Sequence, residues 1–475
     1  MIKSLIEKNI NNKLFKTISK IADETGVECY AIGGFVRDLL MGFENPKDID
    51  ILVVGDGIEI AKKVCNKLNP NYKIKIYKNF RTAAFRYKNI ELEFVGSRKE
   101  SYKSSSRNPK VEIGSLEDDL NRRDYTINSI AIGLNSRMWG KIIDKFNGID
   151  HINKKLLITP LDPLKTFSDD PLRMLRGIRF SCQLNFLIDP QCLKIISQEK
   201  NRIKIVAGER ISEEINKILM SDRPSFGFKI LDKTGILDIL LPELTALKGI
   251  DEIEGHKHKD NFYHTLEVLD NICLNTDKLW LRWSALLHDI GKAPTKKYIK
   301  KIGWTFHGHE LKGSKMVLKI FKRFNLPLNN KLKYVQKIIY MSSRPIIISS
   351  EKVSDSAVRR LIYDAKEDLD DLLKLCEADI TTKNPNRFKK YLNNFKIVRQ
   401  KIISVEKRDH IRNFQPPIKG KEIMNYFNLK PGKEIGIIKD YIKESILDGK
   451  ITNDYKSAKS LMNKKGLQMG LKVSK

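Results

Sequence analysis

Cysteine is scarce and scattered in this 475-residue chain: Cys29, Cys65, Cys182, Cys192, Cys273 and Cys376, with no CxxC pair among them. A disulfide framework or a zinc ribbon needs paired or closely spaced thiols, so neither is supported, and a reducing cytoplasm is the expected setting. Long apolar runs are missing too. No uninterrupted apolar stretch reaches the roughly 18 residues that would suggest a membrane span. The first twenty residues carry charges every few positions and no apolar h-region. Neither membrane insertion nor secretion is expected. Acidic residues are outnumbered, 58 Asp plus Glu against 88 Lys plus Arg, which gives a formal charge of +30. Such an excess points to a polyanionic partner, although heavy use of Lys, Ile and Asn throughout offers a compositional explanation as well.

At this length three or four domains are expected rather than one core. Residues 1 to about 150 alternate short apolar strands (YAIGG, DILVVG, YKIKIY, TAAFRY, IELEFVG, NSIAIGL) with helical stretches, the pattern of an α/β or α+β domain. Beyond Leu161 strand signals fade and amphipathic helices dominate. The polar, Ser-rich segment Ser97–Leu120 reads as a mobile loop. Loops near 249–261 and 413–420 open, in turn, a helical block holding most of the histidines and a Lys-rich helical tail. No repeat of solenoid period is visible.

The chemistry starts at YAIGGFVRDLLMGFENPKDIDILVV. If DIDILVV is a strand, Asp48 and Asp50 face one side, a pair suited to a divalent cation. A DxD pair also arises by chance on strand ends. The Gly33–Gly34 bend between a strand and a helix brings backbone N–H groups close to an anion. Arg37, on the first helical turn, adds a forked guanidinium for phosphate oxygens. Together they suit a triphosphate bridged to Mg2+, hence nucleotide transfer in which two metal ions held by the aspartates activate an attacking hydroxyl and neutralise a leaving pyrophosphate. Glu93 in IELEFVG is a candidate third carboxylate, although a solvated strand-face glutamate is the better fit to the sequence.

After the polar segment comes RRDYTINSIAI, with Arg122, Arg123 and Asp124, readable alone as a solvated charge cluster. Following GGxVRD and DxD in that order, it makes the chain resemble the class II tRNA nucleotidyltransferases, the CCA-adding enzymes, and their bacterial poly(A) polymerase relatives in the polymerase β superfamily. The resemblance implies that Arg123, with Arg122 beside it, contacts the incoming nucleotide.

In DDPLRMLRGIRF, Leu172, Met174, Leu175 and Ile178 share one arc of a helix, while Asp170, Arg173, Arg176 and Arg179 fan across the other. An ordinary amphipathic helix with solvated arginines would look the same. Chemically, an Asp acceptor beside an Arg donor complements the amino and ring-nitrogen edge shared by cytosine and adenine; uracil and guanine present a carbonyl that an aspartate repels. The segment resembles the family's EDxxR nucleobase motif, with Asp169 in the Glu position. That implies Asp170 and Arg173 as base readers, and Arg176 and Arg179 as further nucleotide contacts. DKFNGID resembles the motif joining head to neck, where Gly148 would serve a turn. GERISEEINKIL resembles the last neck motif, whose Glu209, Arg210 and Glu213 can also pair along the helix. In the tail, Lys430-Pro431-Gly432 before a helix is either a phosphate contact or a solvated turn.

A second constellation lies in the histidine block: His264 in HTLEVLD, His288 and Asp289 in ALLHDIGKA, His307 and His309 in FHGHE, and Asp379 in CEADITT. It resembles the HD phosphohydrolase superfamily, which implies His264, His288, Asp289 and Asp379 as ligands. Mixed imidazole and carboxylate ligation suits a transition metal or Mg2+. A supporting helical domain with a vestigial site is the plainer alternative.

The resemblance covers nearly the whole chain. It implies an α+β fold: a polymerase β-like nucleotidyltransferase head with a mixed sheet (1–160), then an all-α neck for base recognition and RNA binding (161–250), an HD domain (251–385) and a tRNA-binding tail (386–475). The implied activity is untemplated addition of CMP, CMP and AMP to the tRNA 3′ end from CTP and ATP, with Mg2+ on Asp48 and Asp50, Gly34 and Arg37 at the triphosphate, and the acceptor arm held by basic helices. Poly(A), CC-only and A-only addition use the same head. An HD-dominated phosphohydrolase and a non-catalytic RNA-binding protein are the rivals of another class.

Overall fold

In the computed structural model the described residues are 2–43, 46–78, 81–103, 106–348, 354–409, 411–412 and 414–474, with backbone alone for 2–3 and 100–111. The chain forms two compact units, Met1–Pro242 and Glu243–Lys475. Among the described residues no helix is long and apolar enough to cross a membrane.

The first unit is built on a seven-stranded mixed sheet. Its strands are β1 (Cys29–Ile32), β2 (Asp48–Val53), β3 (Ile74–Tyr77), β4 (Thr82–Tyr87), β5 (Ile90–Gly96), β8 (Ile130–Gly133) and β9 (Ile142–Asp144), in the order β3-β4-β5-β2-β1-β8-β9. Strand β2 is central, antiparallel to β1 and parallel to β5. Period-two alternation divides it between two faces. Ile49, Ile51 and Val53 are buried on the face covered by the Lys13–Thr25 and Gly57–Leu68 helices. Each of those helices turns one apolar stripe inwards, Leu14, Phe15, Ile18 and Ala22 in the first, Ile60, Ala61 and Val64 in the second. The other face carries Asp48 and Asp50, then a small core of Tyr30, Ile32, Leu52, Leu120 and Ala131.

The segment expected to be a mobile loop, Ser97–Leu120, is instead an antiparallel hairpin of β6 (Arg98–Lys103) and β7 (Ser106–Ile113), followed by the Leu116–Asn121 helix. The sequence of this segment, rich in Arg, Lys, Ser and Glu, has no apolar alternation to announce a strand; backbone pairing builds it. Residues 104–105 lie outside the described ones. Ser115 starts the helix with a reciprocal capping box to Asp118.

The helix expected from Asp169 to Phe180 is broken. One helix, Pro163–Asp169, ends with Asp170 in an extended conformation; Pro171 follows, and a new helix runs Leu172–Leu184. Proline drives the residue before it out of the helical region, so the signal for this break was present in the sequence. The second helix packs against Gly208–Leu219 and Pro224–Lys233 as well as the head. Both of its arcs are therefore covered: Leu172, Met174, Leu175 and Ile178 on one, Arg173 and Arg179 on the other. The alternative of solvated arginines is excluded for those two.

The turn expected at Gly148 belongs to Asn147, which takes φ 56°. Gly148 is needed for closeness: a Cβ there would lie 2.4 Å from the Thr126 carbonyl oxygen. Asp144 caps this helix start, accepting from Gly148 N at 2.7 Å and Ile149 N at 2.9 Å.

The second unit is mainly helical, with two short antiparallel ladders, Glu252–Ile253 with His256–Lys257 and Lys297–Ile299 with Gly303–Thr305. Helices Asn261–Cys273, Leu279–Leu287 and Leu369–Ala378 pack on one another at its centre. A 25-residue helix, Pro385–Asp409, comes next.

Candidate active site and metal centre

Asp48 is exposed and Asp50 half-buried on one face of β2. In the parallel register Asp48 lies opposite Glu91, and Asp50 opposite Glu93, on β5. Burial raises the Asp50 carboxyl above the usual carboxylate range and Asp48 adds to the effect, while Arg123 opposes it. Glu93 is raised by desolvation and then by Asp50 and Glu91. Carboxylates that resist ionising side by side gain most from a shared cation, and an all-oxygen donor set suits a hard ion such as Mg2+.

Gly33, with φ 79° and ψ −138°, begins the Gly34–Leu40 helix. A Cβ at Gly33 would lie 3.1 Å from Asp50 Oδ2 and 3.2 Å from Arg123 Nη1. The glycine is what lets an anion and a cation flank the bend. Arg37 lies beside Gly34, and its guanidinium is held inside the protein: Nη1 donates to Asn128 Oδ1 at 2.9 Å and Nε to Asp38 Oδ1 at 2.8 Å.

The remaining arginines sit in one network. Arg122 Nε and Arg123 Nε both donate to fully buried Asp119, at 2.8 and 3.1 Å. Burial raises the Asp119 carboxyl, and the two arginines more than reverse this, leaving it below its ordinary value. Arg173 donates to the carbonyls of Thr166 at 3.2 Å and Arg122 at 2.5 Å. Arg176 Nε donates to Asp124 Oδ2 at 2.6 Å, and Arg179 Nε to Glu214 Oε2 at 2.6 Å. Buried Asp124 is likewise held well below the carboxylate range, burial being outweighed by Arg176 and by hydrogen bonds from Asn128 and Tyr125 N. The guanidiniums of Arg37, Arg176 and Arg179 surround the Phe180 ring, 5.3, 5.4 and 4.0 Å from its centroid.

Asp170 lies between the two helices, its Oδ1 accepting from Leu172 N at 3.1 Å, and Arg210 Nη2 lies 4.0 Å from its other oxygen. Asp170 and Arg173 are joined through the backbone, Arg173 N donating to Asp170 O at 3.0 Å. Sequence reasoning missed Asp119, Asn128, Phe180 and Glu214. Only a charge or ring three-dimensionally opposite the motif arginines identifies them, and no spacing rule reaches from 179 to 214. In the tail, Glu434 Oε2 lies 2.7 Å from where a Gly432 Cβ would be, so a carboxylate of the chain already occupies that helix start.

In the second unit His264, His288, Asp289 and Asp379 converge from three elements. His264 Nε2 lies 2.7 Å from Asp379 Oδ1 and 3.7 Å from Asp289 Oδ2; His288 Nε2 lies 3.4 Å from Asp289 Oδ2 and 3.7 Å from Asp379 Oδ1. His288 Nδ1 lies 2.8 Å from the Ala285 carbonyl oxygen, which makes it the donor and turns the Nε2 lone pair into the cluster. That buried Nε2 has no hydrogen-bond partner. Two imidazoles and two carboxylates with an orphaned nitrogen fit a divalent ion. Around them, Thr381 Oγ1 and Lys259 Nζ each lie 2.9 Å from His264 Nδ1, and Lys292 Nζ lies 2.6 Å from Asp289 Oδ2. His309 also faces the cluster, with Nε2 3.8 Å from Asp289 Oδ1, whereas His307 is exposed.

Three domain families match the chain: the poly A polymerase head domain over residues 29–158, the probable RNA and SrmB-binding site of polymerase A over 185–248, and the HD domain over 261–383. A multifunctional CCA protein of Pseudomonas fluorescens (strain Pf0-1) is 31% identical over 311 residues, covering 63% of this chain and 71% of that protein. An A-adding tRNA nucleotidyltransferase of Deinococcus radiodurans is 29% identical over 348 residues, covering 71% and 76%. Among solved structures, the Thermotoga maritima CCA-adding enzyme complexed with tRNA aligns over 98% of both chains, with TM-score 0.61 at 22% identity. A CCA-adding enzyme complexed with ATP aligns over 96% of this chain and 95% of that one, with TM-score 0.62. With these matches along its length, the chain belongs to the family of CCA-adding and A-adding tRNA nucleotidyltransferases and is a nucleotidyltransferase.

Proposed function

We propose that this chain adds CMP, CMP and AMP in turn to the 3′ end of a tRNA acceptor arm, using CTP and ATP. The observation that carries this reading is the placement of the Asp50 carboxylate and the Arg123 guanidinium against the Gly33 bend, with Asp48 two residues before Asp50 on the same strand face. The tRNA 3′-oxygen attacks the α-phosphorus, a new P–O bond forms, and pyrophosphate leaves. Asp48 and Asp50 hold Mg2+, with Glu93 adjacent. A bound ion would lower the pKa of the tRNA 3′-hydroxyl, which loses its proton as it attacks, and would neutralise charge on the departing pyrophosphate. Gly34 and Arg37 meet the triphosphate, and Arg122 and Arg123 the nucleotide. Asp170 accepts from the amino group of cytosine or adenine while Arg173 donates to the ring nitrogen. Arg176 and Arg179, tied to Asp124 and Glu214, set the pose of the reading helix beside the nucleotide. The working division is a head at 1–160, a neck at 161–250, an HD domain at 251–385 and a tail at 386–475, whose basic helices hold RNA phosphates. Six free thiols suit a reducing cytoplasm.

The test uses two tRNAs, one trimmed of its last three nucleotides and one ending in CC, with labelled CTP and ATP supplied separately and together. The expected result is two CMP and one AMP on the first and AMP on the second. Addition of AMP to the CC end alone would identify an A-adding enzyme, CMP alone a CC-adding enzyme, and long AMP runs a poly(A) polymerase.

A second reading concerns the second unit: a divalent-metal phosphohydrolase acting on RNA ends or cyclic phosphates. The buried His288 Nε2, which has no hydrogen-bond partner and faces the carboxylates of Asp289 and Asp379, favours it. The expectation is one bound Mn2+ per chain in equilibrium dialysis, lost in His288→Ala; a chain that binds none contradicts this reading.

A further inference from the structure

On the sheet face opposite Asp48 and Asp50, the Lys13–Thr25 and Gly57–Leu68 helices pack against each other. A groove of about 920 Å3 lies between them, lined by Lys13, Lys16 and Lys20 from the first helix and Lys63 and Lys67 from the second. Spacings of three and four put each set on one face of its helix, and at a rise of 1.5 Å per residue the first row runs about 10.5 Å. All five lysines are exposed. Among the described residues, Glu24 is the one carboxylate in the lining. Lys20 Nζ lies 3.8 Å from Glu24 Oε1 and Lys63 Nζ 2.7 Å from Glu59 Oε1, whereas Lys13, Lys16 and Lys67 have no carboxylate partner among the described residues.

Lys16 and Lys20 also border a second hollow, of about 640 Å3, with half-buried Trp139 in its wall. Asp23, on the same helix as the lysines, holds that indole in place: its carboxylate accepts from Asn135 Nδ2 and Ser136 N, both at 3.1 Å, and so anchors the turn that leads to Trp139. In a chain of charge +30, single surface lysines carry little meaning. Lysines converging from two helices on one concavity, with an indole fixed at its edge, have the chemistry of a polyanion that also carries planar bases. A bilayer surface fits poorly, because among the described residues neither helix exposes a large apolar side chain to insert. Duplex RNA fits poorly as well, since stacking on an aromatic ring needs an unpaired base.

We propose that this groove binds a single-stranded RNA segment, its phosphates along the two lysine rows and a base against Trp139. The RNA is held on the side of the sheet away from the candidate active site, without contact to the reacting 3′ end. The site is therefore independent of which nucleotides the chain adds.

The test exposes the full chain to a short oligouridylate carrying 4-thiouridine under light, maps cross-linked peptides by mass spectrometry, and follows binding by fluorescence anisotropy across a salt series. Cross-links to the Lys13–Thr25 helix and to the segment holding Trp139 are expected. Trp139→Leu should weaken binding about tenfold. The double variant Lys16→Gln, Lys67→Gln alters exposed helical positions and serves should Trp139→Leu fail to fold; it should reduce the slope of log affinity against log salt by about 1.4, at about 0.7 per phosphate contact. Its incorporation of nucleotides into a short acceptor hairpin should match that of the wild type. Cross-links confined to other segments, or a double variant with unchanged affinity and salt slope, would overturn the proposal. Duplex RNA competing as well as single-stranded RNA would contradict stacking on Trp139. Lysine-dependent binding to phosphatidylserine vesicles, with none to the oligonucleotide, would assign the groove to a membrane surface instead.

Discussion

At the scale of single residues, the candidate active site turns on one missing methyl group. Gly33 combines a positive φ with a Cβ position just over 3 Å from both Asp50 and Arg123. Gly33→Ala should cost about 1–3 kcal/mol of backbone strain and force the carboxylate and guanidinium apart. Nucleotide incorporation is expected to fall at least about tenfold, measured under single-turnover conditions, with the urea midpoint only modestly lowered. Asp124 makes a prediction about acid. Its folded carboxyl titrates well below the ordinary value of an aspartate, so the stability it contributes is complete above that ordinary value and is lost as pH falls towards the folded one. Asp124→Asn should therefore destabilise the protein at neutral pH by about 2 kcal/mol, less than the ~3–5 of a fully buried pair because the Arg176 side chain is 36% exposed. The gap in urea midpoint between the two proteins should close below about pH 4; a constant gap down to acid pH would contradict the assignment.

At the scale of elements, the Leu172–Leu184 helix joins the sheet-bearing part of the first unit to its helical part. Tyr125 Oη donates to the Arg173 carbonyl at 3.2 Å, and a Cβ on Gly177 would come within 1.9 Å of that same hydroxyl. Gly177→Ala should cost about 1–3 kcal/mol through overpacking and loosen the Arg173 end of the helix. The check is a raised KM for CTP and ATP with kcat less affected; unchanged KM for both would contradict the helix's role. This element also shows what sequence could and could not convey. Its apolar arc was legible from helical periodicity, and Pro171 held a readable warning that Asp170 lies before the helix and not within it. Burial of its arginines was not legible, because Asp124 and Glu214 come from distant segments and a periodicity argument assigns charges to solvent. The Asp48/Asp50 strand and the adjacent His288–Asp289 pair were legible for the opposite reason: strand alternation and chain adjacency fix their mutual placement locally. The β6–β7 hairpin was missed because a segment rich in Arg, Lys, Ser and Glu leaves no hydrophobic pattern.

At the scale of the molecule, two candidate metal centres of different chemistry lie, among the described residues, in separate compact units. The first has oxygen donors only, on a sheet, beside a guanidinium cluster; the second mixes imidazoles with carboxylates among helices. The +30 charge suits a long polyanion, and the binding of trimmed tRNA should weaken steeply with salt. Nucleotide transfer should run on the β2 carboxylates and need nothing from the histidine cluster. The most direct measurement compares incorporation of labelled CMP and AMP into trimmed tRNA by the wild type, Asp50→Asn and His288→Ala. Loss of at least about a thousandfold in Asp50→Asn, with near wild-type incorporation by His288→Ala, is the predicted result. Incorporation that survives in Asp50→Asn, or that fails in a folded His288→Ala, would contradict it.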